Sequence, residues 1–133
     1  MKRKAKIIRT NDDKSIVICV DVENADKILK YINRNLPTIK KFNYITDLIL
    51  NRLRITDVYD KEEINEKCKN VTAMKFFKGG SNDRIYCKEQ TTLNKTFVVI
   101  AAEVLEKKKS QKITKKNRNI IEKVGSYEYE IIE

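Results

Sequence analysis

Residues 71–105 read VTAMKFFKGGSNDRIYCKEQTTLNKTFVVIAAEVL, and this stretch decides the fold class. Residues 71–77 form a first strand. Lys78-Gly79-Gly80-Ser81-Asn82-Asp83 is turn chemistry, because glycine and asparagine reach backbone conformations that most residues avoid. Residues 84–88 alternate polar and apolar, as a half-exposed strand does. Residues 90–95 make a second polar loop. Residues 97–102 are apolar throughout, the mark of a central strand.

Upstream, Ser15-Ile16-Val17-Ile18-Cys19-Val20 is short and β-branched, and pairs in expectation with Lys6-Ile7-Ile8 across an Asn-Asp-Asp-Lys turn. In residues 23–35 the period changes: Ala25, Ile28, Leu29 and Ile32 share one helix face. Asn24 or Asp21 serves as cap. Pro37 ends that segment and opens a second helix at 38–54, whose stripe is Ile39, Phe42, Ile45, Leu48, Ile49 and Leu53. The two helices should form a hairpin. Residues 57–69 are acidic and polar, with a short helix expected around 61–68. Downstream, Ile113, Ile120, Ile121 and Val124 place apolar groups on one side of a basic helix, with Gly125 past its end, and residues 127–132 alternate as a last strand. The order β-α-α-β-β-β-α-β predicts a single α+β domain over 1–133, with a small antiparallel-dominated sheet and helices gathered on one face.

The chain has 133 residues, 41% apolar and 36% charged, enough for one core. Its 29 Lys and Arg against 19 Asp and Glu leave a net charge of +10, which favours a polyanionic partner. Histidine is absent, which excludes imidazole as base, acid or ligand. Cys19, Cys68 and Cys87 are far apart and read as reduced, packed side chains rather than a zinc set. No signal-peptide pattern follows the basic N-terminus, and 97–102 is too short to span a bilayer, so a soluble, cytoplasmic protein is expected.

The charge is concentrated. Between residues 104 and 124 lie Lys107, Lys108, Lys109, Lys112, Lys115, Lys116, Arg118 and Lys123, against Glu106 and Glu122. Lys75, Lys78, Arg84 and Lys88 occupy the preceding hairpin. Hairpin and basic corner are expected to form one concavity opposite the acidic 57–66 segment. Lysines along a phosphate backbone release condensed counterions, so nucleic acid is the natural ligand. Tyr86, Tyr127 and Tyr129 are candidate stacking partners for bases, although alternation will send some of them into the core.

KFFKGGSNDRIYCKE (75–89), KTFVVIAAEVLEKKKSQK (95–112) and the ending SYEYEI (126–131) together resemble the RelE/ParE toxin superfamily, and more narrowly its RelE/HigB branch, phage-derived members included. The resemblance covers residues 71–132 by motif and the upstream elements by order alone. It implies an mRNA interferase: a toxin that cuts mRNA, usually on the ribosome, inhibits translation and is held inactive by a cognate antitoxin. By the same resemblance, Arg84 matches the strand arginine that contacts the scissile phosphate. Lys75 matches a basic residue of the preceding strand. Lys107, Lys108, Lys109 and Lys112 fall in the basic run at the helix start, and Tyr127 or Tyr129 is nearest to the C-terminal aromatic. A C-terminal catalytic histidine, present in some members, has no counterpart.

RNA cleavage by internal attack needs a base for the 2′-OH, stabilisation of the phosphorane and a proton for the 5′-oxygen. Arginine suits the second task, since guanidinium binds phosphate bidentately and stays charged. Crowded lysines suit the first, because like charges and burial lower an ammonium's pKa. A tyrosine or a second lysine serves as acid. The candidate catalytic set is therefore Arg84, Lys75, Lys108, Lys109, Tyr127 and Tyr129. Lys78, Tyr86, Lys88, Lys107, Lys112, Lys115 and Lys116 are expected to bind RNA. No metal, small-molecule cofactor or membrane enters this scheme. The competing readings are a gyrase poison of the ParE branch and a nucleic-acid-binding module without chemistry.

Overall fold

The structure, a computed structural model, describes residues 2–106 and 114–133. Its order is β1 (Arg3–Thr10), β2 (Ile16–Asp21), α1 (Ala25–Ile32), α2 (Leu36–Leu50), β3 (Tyr59–Lys61), a 3-10 turn at Glu66–Cys68, β4 (Val71–Phe76), β5 (Asp83–Thr91), β6 (Phe97–Leu105), α3 (Lys115–Ser126) and β7 (Tyr129–Ile132). The class is α+β. One mixed sheet runs β3-β4-β5-β6-β2-β1-β7.

The 71–105 stretch forms three successive antiparallel strands, with Lys75 opposite Arg84, and Arg84 opposite Leu105. β6 lies mid-sheet and pairs parallel with β2, from Ile16–Phe97 to Val20–Ala101. Covered on both faces, residues 98–102 are wholly buried, which is why this run shows no alternation. β1 and β2 form the expected N-terminal hairpin, and β7 adds parallel to β1. The sheet is thus less purely antiparallel than expected, since both chain ends join the same edge.

The helices do not share one face. Ile28, Tyr31 and Ile32 of α1 and Phe42, Ile45 and Ile49 of α2 pack on the face carrying Ile18, Met74, Ile85 and Val99. α3 sends Ile121 and Val124 to the opposite face, against Ala73, Tyr86 and Ile100. The physical reason is the two-sided apolarity of the central strands, which leaves a second face to cover. Pro37 stands in the first turn of α2 as expected, with Asn35 Oδ1 accepting from Thr38 N at 2.9 Å, but the helix runs 36–50 rather than 38–54, and Leu53 lies beyond it, exposed. Gly125 is not a residue beyond the helix end: it lies inside α3, where an added Cβ would stand 2.1 Å from Lys67 O. Glycine lets α3 close on the 3-10 turn.

The acidic 57–66 segment is not opposite the basic hairpin but beside it. β3 pairs with β4, and the Lys75 and Lys78 ammonium groups lie 4.0 Å from Asp60 and 3.6 Å from Asp57.

Candidate functional site

β4 and β6 finish where β5 begins, so one end of the sheet collects Lys75, Arg84 and the exit of β6 toward the basic run. Arg84 is only 2% exposed. Its Nη1 donates to Asn82 Oδ1 at 2.6 Å and to the Asp83 carbonyl at 3.3 Å. The neighbouring turn is built for this. Phe77, Gly79 and Asn82 have positive φ, and Asn82 N returns to Phe77 O. Among the described residues no carboxylate forms an ion pair with Arg84, and its Nε has no hydrogen-bond partner. Desolvation lowers its pKa, against the opposing pull of Tyr86, Glu62 and Asp83.

Adjacent Asp83 is the structural counterpart. It is fully buried and accepts from Tyr31 Oη, from Arg34 Nη2 at 3.1 Å and from Ser81 Oγ at 3.0 Å. Arg34 also reaches Glu106, tying the end of α1 to the end of β6.

The other expected residues separate. Lys75 stands opposite Arg84 in register, yet its Nζ donates to Thr56 O at 3.2 Å on the β3 side. Lys78 is exposed beside Asp57. Neither ammonium contributes to a common cluster with Arg84. Tyr86 is 1% exposed, and its hydroxyl accepts from Asn117 Nδ2 at 2.8 Å, so no ring face is open to a base. Lys88 donates to Gly125 O at 2.6 Å near the end of α3, with burial lowering its pKa. That is a helix-terminating contact rather than an RNA contact.

Tyr127 and Tyr129 are also buried. Tyr127 donates to Glu103, and Tyr129 to Asp21 at 2.6 Å. Burial first, then these carboxylates, push both phenols well above their ordinary range. Asp21 also accepts from Arg3 Nε at 2.7 Å and from Asn24 N at 3.0 Å, while Arg3 stacks 4.0 Å from the Tyr127 ring centroid. This network joins both chain ends to the sheet and leaves neither phenol open for stacking.

Lys115 and Lys116 are exposed in the first turn of α3, capped by Thr114, which accepts from Asn117 N at 3.2 Å. A helix start favours negative charge, so two lysines there are unfavourable unless an anion joins them. Lys107, Lys108, Lys109 and Lys112 lie outside the described residues.

The three cysteines are buried and unpaired, and burial lifts the Cys19 thiol to about 12. None is a ready nucleophile. Among the described residues no group of carboxylates and thiols gathers to hold a metal, and no helix is long and apolar enough to cross a membrane.

Sequence reasoning missed Glu103, Asn82, Asp83 and Arg34. Glu103 carried a signal: it is the one acid within 97–105. A register shift between Tyr86 and Cys87 sets Glu103 opposite Tyr86, on the α3 face. Comparison with family models, with curated proteins and with solved structures gave no match.

Proposed function

We propose that the protein is the toxin of a toxin–antitoxin pair and an mRNA interferase of RelE/HigB type. It would act on ribosome-bound mRNA, inhibit translation and be silenced by a cognate antitoxin. The observation that carries this reading is Arg84: a buried guanidinium held by neutral acceptors, with Nε unpartnered among the described residues. A buried charge left so incompletely paired is costly for stability and is matched by an anion such as phosphate. Two further features support it. The α+β class, with three helices on one mixed sheet, is compatible with it. The basic run joins β6 beside Arg84 to the lysine-bearing start of α3.

In this reaction the 2′-oxygen bonds to phosphorus and the 5′-oxygen leaves. A base takes the 2′ proton and an acid protonates the leaving oxygen, giving a 2′,3′-cyclic phosphate and a 5′-hydroxyl. Arg84 would stabilise the phosphorane. Tyr127 and Tyr129 are committed to carboxylates and the Lys75 ammonium lies on the β3 side, and Lys108 and Lys109 are the proposed base and acid.

Induced expression with mapping of mRNA 5′ ends tests the reading. The expected result is growth arrest with new 5′-hydroxyl ends inside coding regions. Arrest without new ends, together with loss of gyrase supercoiling, would transfer the protein to the gyrase-poison reading.

A further inference from the structure

Away from Arg84, a cavity of about 420 Å³ opens between α2, the α2–β3 connection and the end of β4. Its size falls within the range of small-ligand sites. Three ammonium side chains reach it from separate elements: Lys41 of α2, Lys75 of β4 and Lys78 of the following turn. Two carboxylates face them: Asp57 lies 3.6 Å from Lys78 and Asp60 lies 4.0 Å from Lys75, so the cluster keeps a surplus of positive charge centred on Lys41. Tyr44 and Phe77 supply ring walls, and Tyr44 is 46% exposed. The Lys41 ammonium lies 5.5 Å from the Tyr44 ring centroid. Ile55 and Val58 complete an apolar lining.

We infer that this cavity holds one nucleotide of single-stranded RNA outside the scissile position, its base against Tyr44 and its phosphate among Lys41, Lys75 and Lys78. The combination is chemically selective. An inorganic anion would use the lysines and leave the rings idle, whereas an apolar ligand would leave the surplus positive charge unmatched. A nucleotide uses both, because every base has a face to stack and every phosphate a charge to neutralise. Lys75 is the link between the two places: its backbone pairs with Arg84, and its side chain lines the cavity. A strand of RNA on Arg84 would therefore have a second holding point at the far side of β4. This inference rests on the reading of RNA as the ligand, and deepens it by placing a flanking nucleotide.

The test uses the full chain and a fluorescently labelled single-stranded RNA made uncleavable by 2′-O-methylation, with binding followed by anisotropy over a range of salt. Tyr44→Ala should weaken binding about tenfold, the scale of one lost base stack. Lys41→Ala with Lys78→Ala should lower the salt dependence by about 1.4 in log–log slope, as expected for two phosphate contacts to a single strand. Lys27→Ala with Lys30→Ala, an equal charge change on α1, should leave the slope near wild type. Thermal melting monitors folding of every variant. Unchanged affinity and slope in folded cavity variants would overturn the inference, as would an equal fall in the α1 control or free AMP binding as tightly as the RNA. A protein that cleaves mRNA while its cavity variants bind normally would lose the cavity and keep the interferase. A protein whose cavity binds RNA but which cuts none would do the reverse.

Discussion

Two regions flanking the β4–β5 hairpin carry basic side chains, and they treat charge in different ways. On the α3 face, Arg84, Tyr86 and Lys88 are buried or half-buried, and their polar atoms go to Asn82, Asn117 and Gly125. Beside α2, Lys41, Lys75 and Lys78 line an open cavity. The first region ties Tyr86 and Lys88 into the structure and, among the described residues, leaves Arg84 Nε without a hydrogen-bond partner. The second sets its ammonium groups around an open cavity, Lys75 and Lys78 each beside a carboxylate there. Position along the hairpin therefore says little about role: Lys75 and Arg84 are cross-strand neighbours, yet the first reaches Thr56 and the second Asn82.

The sharpest way to break this comparison is at Arg84. Arg84→Ala should reduce mRNA cleavage by roughly 10²–10³-fold, as for loss of one preorganised group facing a developing negative charge. Rate measurement on programmed ribosomes, beside a melting curve, separates this from unfolding. A folded variant with full activity would make Arg84 merely structural.

Alkaline titration addresses the buried side as a whole. Tyr31, Tyr59, Tyr127 and Tyr129 are all held above the ordinary phenol value of 10, by burial first and then by carboxylate partners, with Cys87 ahead of Glu89 for Tyr59. The folded state thus binds these protons more tightly than the unfolded state. The associated stability is present below pH 10 and lost as pH rises above it. Denaturation midpoints should be flat with respect to these groups below that value and fall beyond it. Tyr129→Phe removes one donor from buried Asp21 and should cost about 1–3 kcal/mol at neutral pH, read by urea unfolding.

Gly125→Ala should cost about 1–3 kcal/mol, because the new methyl meets the Lys67 carbonyl and α3 must lift. At the open cavity the expected effect on stability is smallest. Lys78→Ala breaks an exposed pair with Asp57 and should shift stability by less than about 1 kcal/mol. A large loss there would mean that the cavity lysines are structural as well.

The fold was legible where one-dimensional pattern suffices. The apolar 97–102 run identified a central strand, and Pro37 marked the first turn of α2. The face of α3 was not legible, because a strand buried on both sides does not say which helix covers which side. β3 was missed because three residues, Tyr59–Lys61, carry no period. At the site, Arg84 stood out by its place after the turn, but its burial depends on β4, β6 and α3 together. Tyr86, Tyr127 and Tyr129 read as available rings because alternation cannot show that Asn117, Glu103 and Asp21 await their hydroxyls. Tyr44 and Lys41 joined Lys75 and Lys78 only through tertiary packing.

The most direct measurement is cleavage of ribosome-bound mRNA by purified wild type and Arg84→Ala, with product ends identified chemically. The account predicts 5′-hydroxyl ends from wild type and almost none from a folded Arg84→Ala protein. Equal cleavage by both, or none by wild type with active ribosomes, would contradict it.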